Sequence, residues 1–256
     1  MPDQAHKALD FEALHVPGTP FILFNVWDAG STKAVTAAGA RAIATGSWSV
    51  ANANGYADGE QFPRRAAIEN LSRIVKATGL PVTVDLESGY GATPAEVGET
   101  VAMAIEAGAI GCNLEDSYAG GGALRPIADQ IERIRSARHT ADAANLRFFI
   151  NARTDVFFLD DDTPHDNAML DRALERGHAY VEAGASGFFV PGLVNVALIK
   201  RLAGASPLPV NIMMGSKSPS VRDLAQSGVA RVSHGPGPYL LAMKALETAA
   251  RDALSS

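Results

Sequence analysis

Two acidic residues stand two positions apart in the stretch VDLESGYG. Asp85 and Glu87 follow the apolar run LPVTV, which has the composition of a buried strand. Because side chains alternate between the two faces of a strand, this spacing predicts that both carboxylates lie on the same face. Like charges so close repel each other unless a cation lies between them or one carboxyl holds a proton. The pair is therefore a candidate site for a metal ion.

A third carboxylate and an arginine follow on the next two apolar runs. The same alternation turns Asn113 and Glu115 inward beside Asp85, and Arg153 lies in the following run, FFINARTDVF. Oxygen ligands on a rigid rim suit Mg²⁺ or Mn²⁺ better than zinc, which takes His and Cys. Arg153 can bind the carboxylate of an anionic substrate. The structural alternative is a set of capping and salt-bridging carboxylates around Arg153.

A repeated phrase predicts the elements that position these residues. An alanine-rich amphipathic segment ends in glycine, and a short apolar run follows. Glycine closes a helix in the left-handed conformation, and the branched and aromatic run that follows is typical of a buried strand. The phrase occurs at 36–46, 76–85, 105–116, 181–192, 202–215 and 225–235.

Eight strands result when the runs near 21 and 148 are added, the others lying near 42, 81, 110, 187, 209 and 231. The clearest helices are predicted at 63–78, 94–107, 127–143, 167–183, 195–203, 219–227 and 238–254. Eight alternating units in 256 residues predict an α/β fold, a single (β/α)8 TIM barrel over residues 1–256, with a helix or arm at 1–17. An open doubly wound sheet is the alternative, but it would need a GxGxxG turn after its first strand.

Polar residues gather at the predicted carboxyl ends of the strands, where such barrels have their active sites. We expect Thr45, Gly46, Ser47, Trp48 and Asn211 to contact a substrate together with Arg153. The other polar residues at strand ends are Asp28, Asp116, Asn151, Asp155, Ser233 and His234.

Composition limits the partner classes. The net charge of −6 favours a small-molecule partner over nucleic acid, which requires a basic surface. A single cysteine, Cys112, is expected in the core, and the first residues lack the basic and apolar regions of a signal peptide. No apolar run approaches the roughly 20 residues that cross a bilayer. We therefore expect a soluble, cytoplasmic protein with no membrane partner.

The strand-end motifs DLESGYG, NLEDS and NARTD, with the opening FNVWDAGSTKAVTAAGARAIATGS and the loop GYADGE, resemble the isocitrate lyase/phosphoenolpyruvate mutase superfamily over nearly the whole chain. The resemblance implies Mg²⁺ held by Asp85, Glu87 and Glu115, some of them through water. It also implies that Arg153, the backbone near Gly46 and Ser47, and Asp58 surround the substrate, with Asp58 and Arg153 in catalytic roles. A homo-oligomer, a dimer or a tetramer with its last helix exchanged between subunits, is implied as well.

Members of this superfamily cleave or form a bond next to an enolate, and metal chelation stabilises the developing negative charge. We therefore expect a Mg²⁺-dependent enzyme that cleaves a C–C bond in a small 2-oxo or 2-hydroxy carboxylate, oxaloacetate-like or isocitrate-like. C–P chemistry on phosphonopyruvate or phosphoenolpyruvate is the alternative. A barrel that binds a small acid with little or no catalysis is an alternative of another class.

The chain departs from the superfamily pattern at three places. Its loop after strand 4 is SYAGGGALRP, where the C–C lyases carry Lys-Lys-Cys-Gly or Lys-Arg-Cys-Gly with a catalytic cysteine. Glu87 replaces an aspartate, and strand 6 ends in Pro191 and Gly192 instead of an acid or a histidine. These differences disfavour isocitrate lyase and the mutase, and they favour decarboxylation, which needs no acid from that loop.

Two loops and the histidines complete the predictions. The glycines at 120–122 are either hinges of a lid or a flexible turn. The acidic run LDDDT at 159–163 is interpreted as a solvated loop. The histidines have no metal-ligand spacing and are predicted to lie on the surface, except for His234 at a strand end: His6, His15, His139, His165 and His178.

Overall fold

A computed structural model describes residues 2–159 and 164–255, so residues 160–163 of the predicted solvated loop lie outside the described ones. Eight parallel strands form one sheet in the order β1-β8-β7-β6-β5-β4-β3-β2. The strands are β1 Phe21–Leu23, β2 Ile43–Ala44, β3 Val82–Asp85, β4 Gly111–Glu115, β5 Phe149–Arg153, β6 Gly187–Phe189, β7 Val210–Met213 and β8 Arg231–Ser233.

The two edge strands close the sheet into a barrel. Val26 forms a parallel bridge with Thr45 just beyond β1 and β2. The Val26 N–H donates to the Ala44 carbonyl (2.8 Å), and the Gly46 N–H donates to the Val26 carbonyl (3.2 Å). The predicted α/β TIM barrel is therefore confirmed.

Ten helices occur in the described part of the chain. They are α1 Pro2–Ala13, α2 Ala29–Ala37, α3 Ser47–Ala53, α4 Arg64–Lys76, α5 Pro94–Glu106, α6 Ile127–Ala143, α7 Asn167–Glu182, α8 Val196–Ala205, α9 Val221–Gln226 and α10 Gly237–Leu254. None of the described helices is long and apolar enough to cross a membrane. The predicted helices are present within a few residues of their predicted ends. The short α3 was not predicted, because it begins after Gly46 without a side-chain cap and carries no apolar period.

Capping residues explain where two of the helices begin. Thr93 and Glu96 form a reciprocal capping box at the start of α5, where each side chain accepts a hydrogen bond from the other residue's backbone N–H. Asp28 caps α2 in the same way through the Ser31 N–H, at 2.7 Å. Asp28 was predicted at a strand end, but β1 ends at Leu23 and Asp28 directly precedes α2, so this polar residue serves a local structural role.

Phe11 of α1 and His15, just after this helix, close the amino-terminal end of the barrel. The Phe11 ring packs edge-on against those of Phe21 and Phe149. The His15 ring stacks on Phe149 with the ring centroids 4.0 Å apart, and its Nδ1 hydrogen-bonds the Phe11 carbonyl at 2.9 Å. The prediction that His15 lies on the surface is therefore wrong. Its partner Phe149 is far away in the chain, so local sequence gave no sign of the contact. Cys112 is buried as expected, and burial raises the pKa of its thiol to about 12.

We expect His15 to make the protein less stable in mild acid. Burial, followed by the charge of Arg231, lowers the pKa of His15 from 6.5 to about 3. Below pH 6.5 the unfolded chain therefore takes up a proton that the folded chain does not, and folding stability falls as the pH falls. Between pH 7.5 and pH 5 the loss should be about 2 kcal/mol from this group.

Urea unfolding of His15→Phe across this pH range measures the effect. Between pH 7.5 and pH 5 the wild type should lose about 2 kcal/mol of unfolding free energy relative to the variant. His6→Phe, which replaces an exposed histidine on α1, should show no such change. Parallel curves for wild type and His15→Phe would contradict the prediction.

Candidate active site

A cavity of about 150 Å³ opens at the carboxyl ends of the strands. Of the predicted site residues it is lined by Gly46, Ser47, Trp48, Asp58, Asp85 and Arg153. Sequence reasoning did not assign the remaining lining residues to the substrate site: Asn25, Asn113, Phe158, Phe189, Met213, Ser233, Gly235 and Pro236. Phe158 and Phe189 add apolar surface beside Arg153, a contribution that no polar motif could have predicted.

Asp85 occupies the centre of the acidic cluster. It is the last residue of β3, and its own N–H donates to the Thr45 hydroxyl (2.9 Å). Its carboxylate accepts hydrogen bonds from the backbone N–H groups of Ser47 and Glu87, both at 3.3 Å. Thr45 therefore positions Asp85 and does not line the cavity. The Ser47 N–H, expected to hold substrate, donates to Asp85.

Glu87 does not share a strand face with Asp85, so that prediction is wrong. The strand ends at Asp85, and Glu87 lies in the following turn with a left-handed φ of 52°. Its carboxylate accepts hydrogen bonds from the Glu60 N–H at 2.6 Å and the Tyr90 hydroxyl at 2.9 Å. The alternation of side chains does not extend to Glu87 because a turn interrupts the strand. The Gly89 N–H closes this turn by a hydrogen bond to the Leu86 carbonyl.

Glu60 joins the loop that carries Asp58 to the turn after β3. Its carboxylate accepts hydrogen bonds from the Ser88 hydroxyl (2.7 Å) and the Tyr90 N–H (2.8 Å). Glu60 and Tyr90 both have left-handed backbones, with φ of 63° and 51°. Such conformations are unfavourable for residues with a Cβ, and here they are held by these bonds. Sequence reasoning missed Glu60 because nothing in GYADGE marks it as a partner of a distant turn.

Arg153 lies between two carboxylates. Its Nη1 is 2.8 Å from Glu115, while Nε and Nη2 contact both oxygens of Asp155 at 2.6 and 3.0 Å. The Ser117 hydroxyl bridges Glu115 and Asp155 at 2.9 Å each. Burial lowers the pKa of Arg153, but the negative charges of Glu115 and Asp155 raise it by a larger amount. The net shift is upward, so the guanidinium stays charged. The salt-bridged arrangement considered from sequence is thus present, and Arg153 still lines the cavity.

The acidic groups strongly affect one another. Burial, then Asp58 and Asp85, raises the pKa of Glu87 to about 7. Burial also raises that of Glu115 to about 8, although Arg153 opposes this. Asp58 is an exposed residue, and its pKa is raised by partial desolvation of the carboxyl and then by Asp85. Asp85 is the common perturbing charge, so a cation placed beside it would stabilise the ionised form of all these groups.

The donor set fits Mg²⁺ bound in part through water. Among residues 2–159 and 164–255, no group of three His, Cys, Asp or Glu side chains is arranged as a metal site. Asp58 and Asp85 line the cavity, whereas Glu87 and Glu115 do not. Mg²⁺ keeps several waters and needs only one or two protein carboxylates, so this oxygen-only set suits it. Ligation by Asp85, Glu87 and Glu115, some of them through water, stays a prediction.

Asn211 lies in the barrel interior beneath the cavity, and it is not a lining residue. Its Nδ2 donates to the Ser233 hydroxyl (3.1 Å) and to the Ile212 carbonyl (3.0 Å), and its Oδ1 accepts from Asn151 (3.2 Å). Asn113, on β4, lines the cavity instead. Contact between Asn211 and a substrate therefore stays a prediction that the cavity lining does not support.

The carbonyl end of the Asn25 side chain organises the last loop of the barrel. It accepts the N–H groups of His234 (2.9 Å) and Gly235 (3.0 Å), while its Nδ2 donates to the Thr45 carbonyl (2.9 Å). The His234 ring packs on Phe24 and lies outside the cavity lining. His234 is therefore placed as a structural residue.

The glycine loop after β4 packs on the loop of Asp58. A bridge between Ser117 and Leu124 closes it, and Gly120, Gly121 and Gly122 all have positive φ. A Cβ on Gly59 would come within 2.8 Å of the Gly120 backbone, so the two loops touch where neither has a side chain. The two interpretations of this loop, hinges of a lid or a flexible turn, are not distinguished by these contacts.

Comparison with known proteins identifies the family. A family model described as phosphoenolpyruvate phosphomutase matches residues 11–254. An uncharacterized protein of Mycobacterium tuberculosis is 34% identical over 244 residues, which are 95% of this chain and 88% of that protein. The crystal structure of a candidate phosphonomutase from Burkholderia cenocepacia is 56% identical, with a TM-score of 0.95 over 98% of this chain and 99% of that one.

Proteins with a stated activity match at lower identity. An oxaloacetate decarboxylase of Rhodopseudomonas palustris is 30% identical over 185 residues, 70% of this chain and 60% of that protein. A phosphonopyruvate hydrolase solved with oxalate and Mg²⁺ is 21% identical with a TM-score of 0.80 over 96% and 86% of the two chains, and it shows the shared fold alone. The superfamily thus includes both lyases and enzymes of phosphonates. The chain belongs to the phosphoenolpyruvate phosphomutase family, within the isocitrate lyase/phosphoenolpyruvate mutase superfamily that its strand-end motifs resemble.

Proposed function

We propose that this protein is a Mg²⁺-dependent lyase that cleaves a C–C bond in a small 2-oxo or 2-hydroxy carboxylate, with decarboxylation of an oxaloacetate-like acid as the preferred reaction. The observation that carries the proposal is the cavity of about 150 Å³, which combines Arg153 with Asp58 and Asp85. That volume suits an acid of a few carbon atoms. A cation beside two carboxylates suits an anionic substrate that also contacts a metal ion.

Each lining group has a distinct part in the proposed reaction. Arg153 has N–H groups left over after its contacts with Glu115 and Asp155, and it would orient the substrate carboxylate. Trp48, Phe158 and Phe189 would limit the access of water. Mg²⁺, held by Asp85 with Glu87 and Glu115 acting through water, would supply a Lewis acid for the substrate oxygens.

Asp58 is the proposed proton donor. Breaking the C–C bond leaves a carbon atom that must gain a proton, and the raised pKa of Asp58 favours its protonated form more than that of an ordinary aspartate. The described loop after β4 offers no cysteine, lysine or histidine for this step. Loss of carbon dioxide requires no acid at the leaving group, which is why we favour decarboxylation.

The test is a proton and phosphorus NMR time course with oxaloacetate, methylisocitrate, isocitrate and phosphonopyruvate, each with Mg²⁺ and with chelator. Pyruvate formation from oxaloacetate faster than in the enzyme-free Mg²⁺ control is the expected result. Cleavage of one of the two isocitrates would support a C–C lyase but contradict decarboxylation. If no compound reacts while oxalate still binds, the third possibility holds, a barrel that binds small acids without efficient catalysis.

C–P chemistry on phosphonopyruvate or phosphoenolpyruvate is the second candidate. The 56% identity to a candidate phosphonomutase over nearly the full length of both chains favours it. Release of inorganic phosphate, or isomerisation seen as a new phosphorus resonance, would replace the C–C proposal.

We further propose that the protein forms a homo-oligomer, a dimer or a tetramer, through α10. This helix exposes several apolar side chains, with Met243 37% and Leu246 63% exposed. A separate apolar cavity of about 600 Å³ lies between β1 and α2, where Ile22 and Phe24 are 39% and 38% exposed. Two exposed apolar surfaces in one chain are explained if α10 of one copy covers the cavity of another.

We expect the double substitution Met243→Glu/Leu246→Glu to produce a monomer, because two charges cannot be buried in an apolar contact. Light scattering coupled to size exclusion measures the mass. Thr248→Glu places one charge on the polar side of the same helix and should leave the oligomer intact. A monomeric wild type, or a double variant of unchanged mass, would refute the proposal.

A further inference from the structure

The side chain of Asn113 has a fixed orientation at the floor of the cavity. Its Oδ1 accepts hydrogen bonds from Asn151 Nδ2 at 2.9 Å and from Arg231 Nη2 at 3.3 Å. Within the described residues its Nδ2 donates to no partner. Asn113 is 6% exposed and lines the cavity. The carbonyl oxygen is thus held from below, which leaves the NH₂ group to face the cavity.

Arg231 determines this orientation chemically. A guanidinium donates hydrogen bonds and accepts none, so the Asn113 atom that faces it must be the carbonyl oxygen. Arg231 begins on β8 and reaches Asn113 on β4, so its side chain crosses the interior of the barrel. Its guanidinium carbon lies 6.0 Å from the Phe11 ring, which belongs to the helix that closes the opposite end.

The burial of Arg231 is only partly compensated, by its hydrogen bond to Asn113, by the Phe11 ring and by the more distant charge of Asp85. The residue is fully buried, and its Nε and Nη1 have no hydrogen-bond partner among the described residues. No carboxylate of the described chain forms an ion pair with it. A buried cation without an ion-pair partner destabilises a fold by several kcal/mol. Its presence is easier to explain by a role at the site than by a contribution to stability.

We propose that Arg231 is a positioning residue that holds Asn113 so that its NH₂ group donates a hydrogen bond to an anionic oxygen of the substrate. Asn113 is then a substrate-binding residue, and with Arg153 it contacts the acid from two sides of the cavity. This inference rests on the proposed function in that it takes a small carboxylate as the occupant.

The first test measures oxalate binding in the presence of Mg²⁺ by calorimetry. Wild type, Asn113→Ala, Arg231→Met and the double variant form one set, and Thr83→Val is the control. Thr83 lies in the barrel on β3 with a buried hydroxyl that has no partner among the described residues. Its replacement therefore changes a side chain in the barrel interior but leaves the Asn113 contacts in place.

We expect Asn113→Ala and Arg231→Met each to weaken oxalate binding about tenfold. In the Asn113→Ala background, Arg231→Met should change the dissociation constant less than twofold, because the residue acts through Asn113. Thr83→Val should bind like wild type. Fully additive losses, or unchanged binding in the single variants, would overturn the proposal.

Thermal unfolding separates positioning from a structural role. Methionine fills nearly the volume of arginine without a charge, so Arg231→Met should unfold at the same temperature as wild type or above it. Weaker binding with retained stability supports positioning, whereas loss of both together contradicts it. If Arg231→Met fails to fold, Arg231→Lys keeps the charge and one donor and should retain most of the binding.

The outcome is independent of the proposed reaction, because oxalate binding requires no turnover. Failure of every substrate with binding affected as expected would refute the lyase and keep this inference. If oxaloacetate is turned over but oxalate binding is unchanged in the Asn113 and Arg231 variants, the lyase is supported and this inference is refuted. A wild type that binds no oxalate would overturn the inference whatever its activity.

Discussion

Asp85→Asn should reduce turnover at least about 1,000-fold, which is the largest effect that we expect from one substitution. Asp85 is the shared charge that raises the pKa of Asp58 and Glu87, and it lines the cavity next to Arg153. Its replacement removes the group best placed to hold Mg²⁺. Because asparagine keeps the shape and can still accept the Ser47 N–H, the fold should change little.

Two measurements check this expectation, the turnover rate with Mg²⁺ and Mg²⁺ binding by calorimetry. Both should fall in Asp85→Asn. Asp28→Asn is the matched control, since it makes the same change at the N-cap of α2, where asparagine caps a helix as well as aspartate does. Full activity of Asp85→Asn would remove the metal assignment, and equal loss in Asp28→Asn would show that the rim as a whole is sensitive.

Arg153→Lys should lower kcat/KM about 100-fold while leaving the protein folded. Lysine keeps the positive charge between Glu115 and Asp155 but cannot contact both oxygens of Asp155 and also direct an N–H toward the substrate. A small error in the position of the substrate carboxylate is sufficient for a loss of this size. The loss should appear both in KM and in kcat.

Arg153→Met tests the structural part of the same residue. It leaves two buried carboxylates without their cation, and we expect the free energy of unfolding to fall by about 3 to 5 kcal/mol. Urea unfolding of both variants measures this. Because protonation of Glu115 relieves the repulsion, the Arg153→Met variant should regain stability as the pH is lowered. Equal stability of the Lys and Met variants would show that the ion pairs contribute little.

The fold could be predicted from sequence because its signals are local and repeated. Glycine after an alanine-rich segment, followed by a buried apolar run, marks each αβ joint without any knowledge of distant contacts. The predicted ends of α6 at 127 and 143 match the structure. Features that depend on remote partners were missed, such as the stacking of His15 on Phe149.

The site could be predicted as far as its strand ends, and less well beyond them. Asp85 and Arg153 stand at the last positions of β3 and β5, where strand geometry fixes them. Glu87 lies in a turn with a left-handed backbone, and Glu60 is joined to it only in space. Asn113 lines the cavity and Asn211 does not. This difference depends on which side-chain amides hydrogen-bond each other, which alternation along a strand does not determine.

The closure of the barrel bears on where the molecule opens most easily. Adjacent strands β4 and β5 are joined over five residue pairs, whereas the first and second strands meet in the described structure through the bridge of Val26 to Thr45. Local opening follows the seam with the fewest backbone hydrogen bonds. Asn25 and Gly46, which flank this seam, also line the cavity. The part of the barrel wall that lines the cavity is thus the part that opens most easily. A ligand that contacts both sides of this seam would therefore stabilise the closed form of the whole barrel.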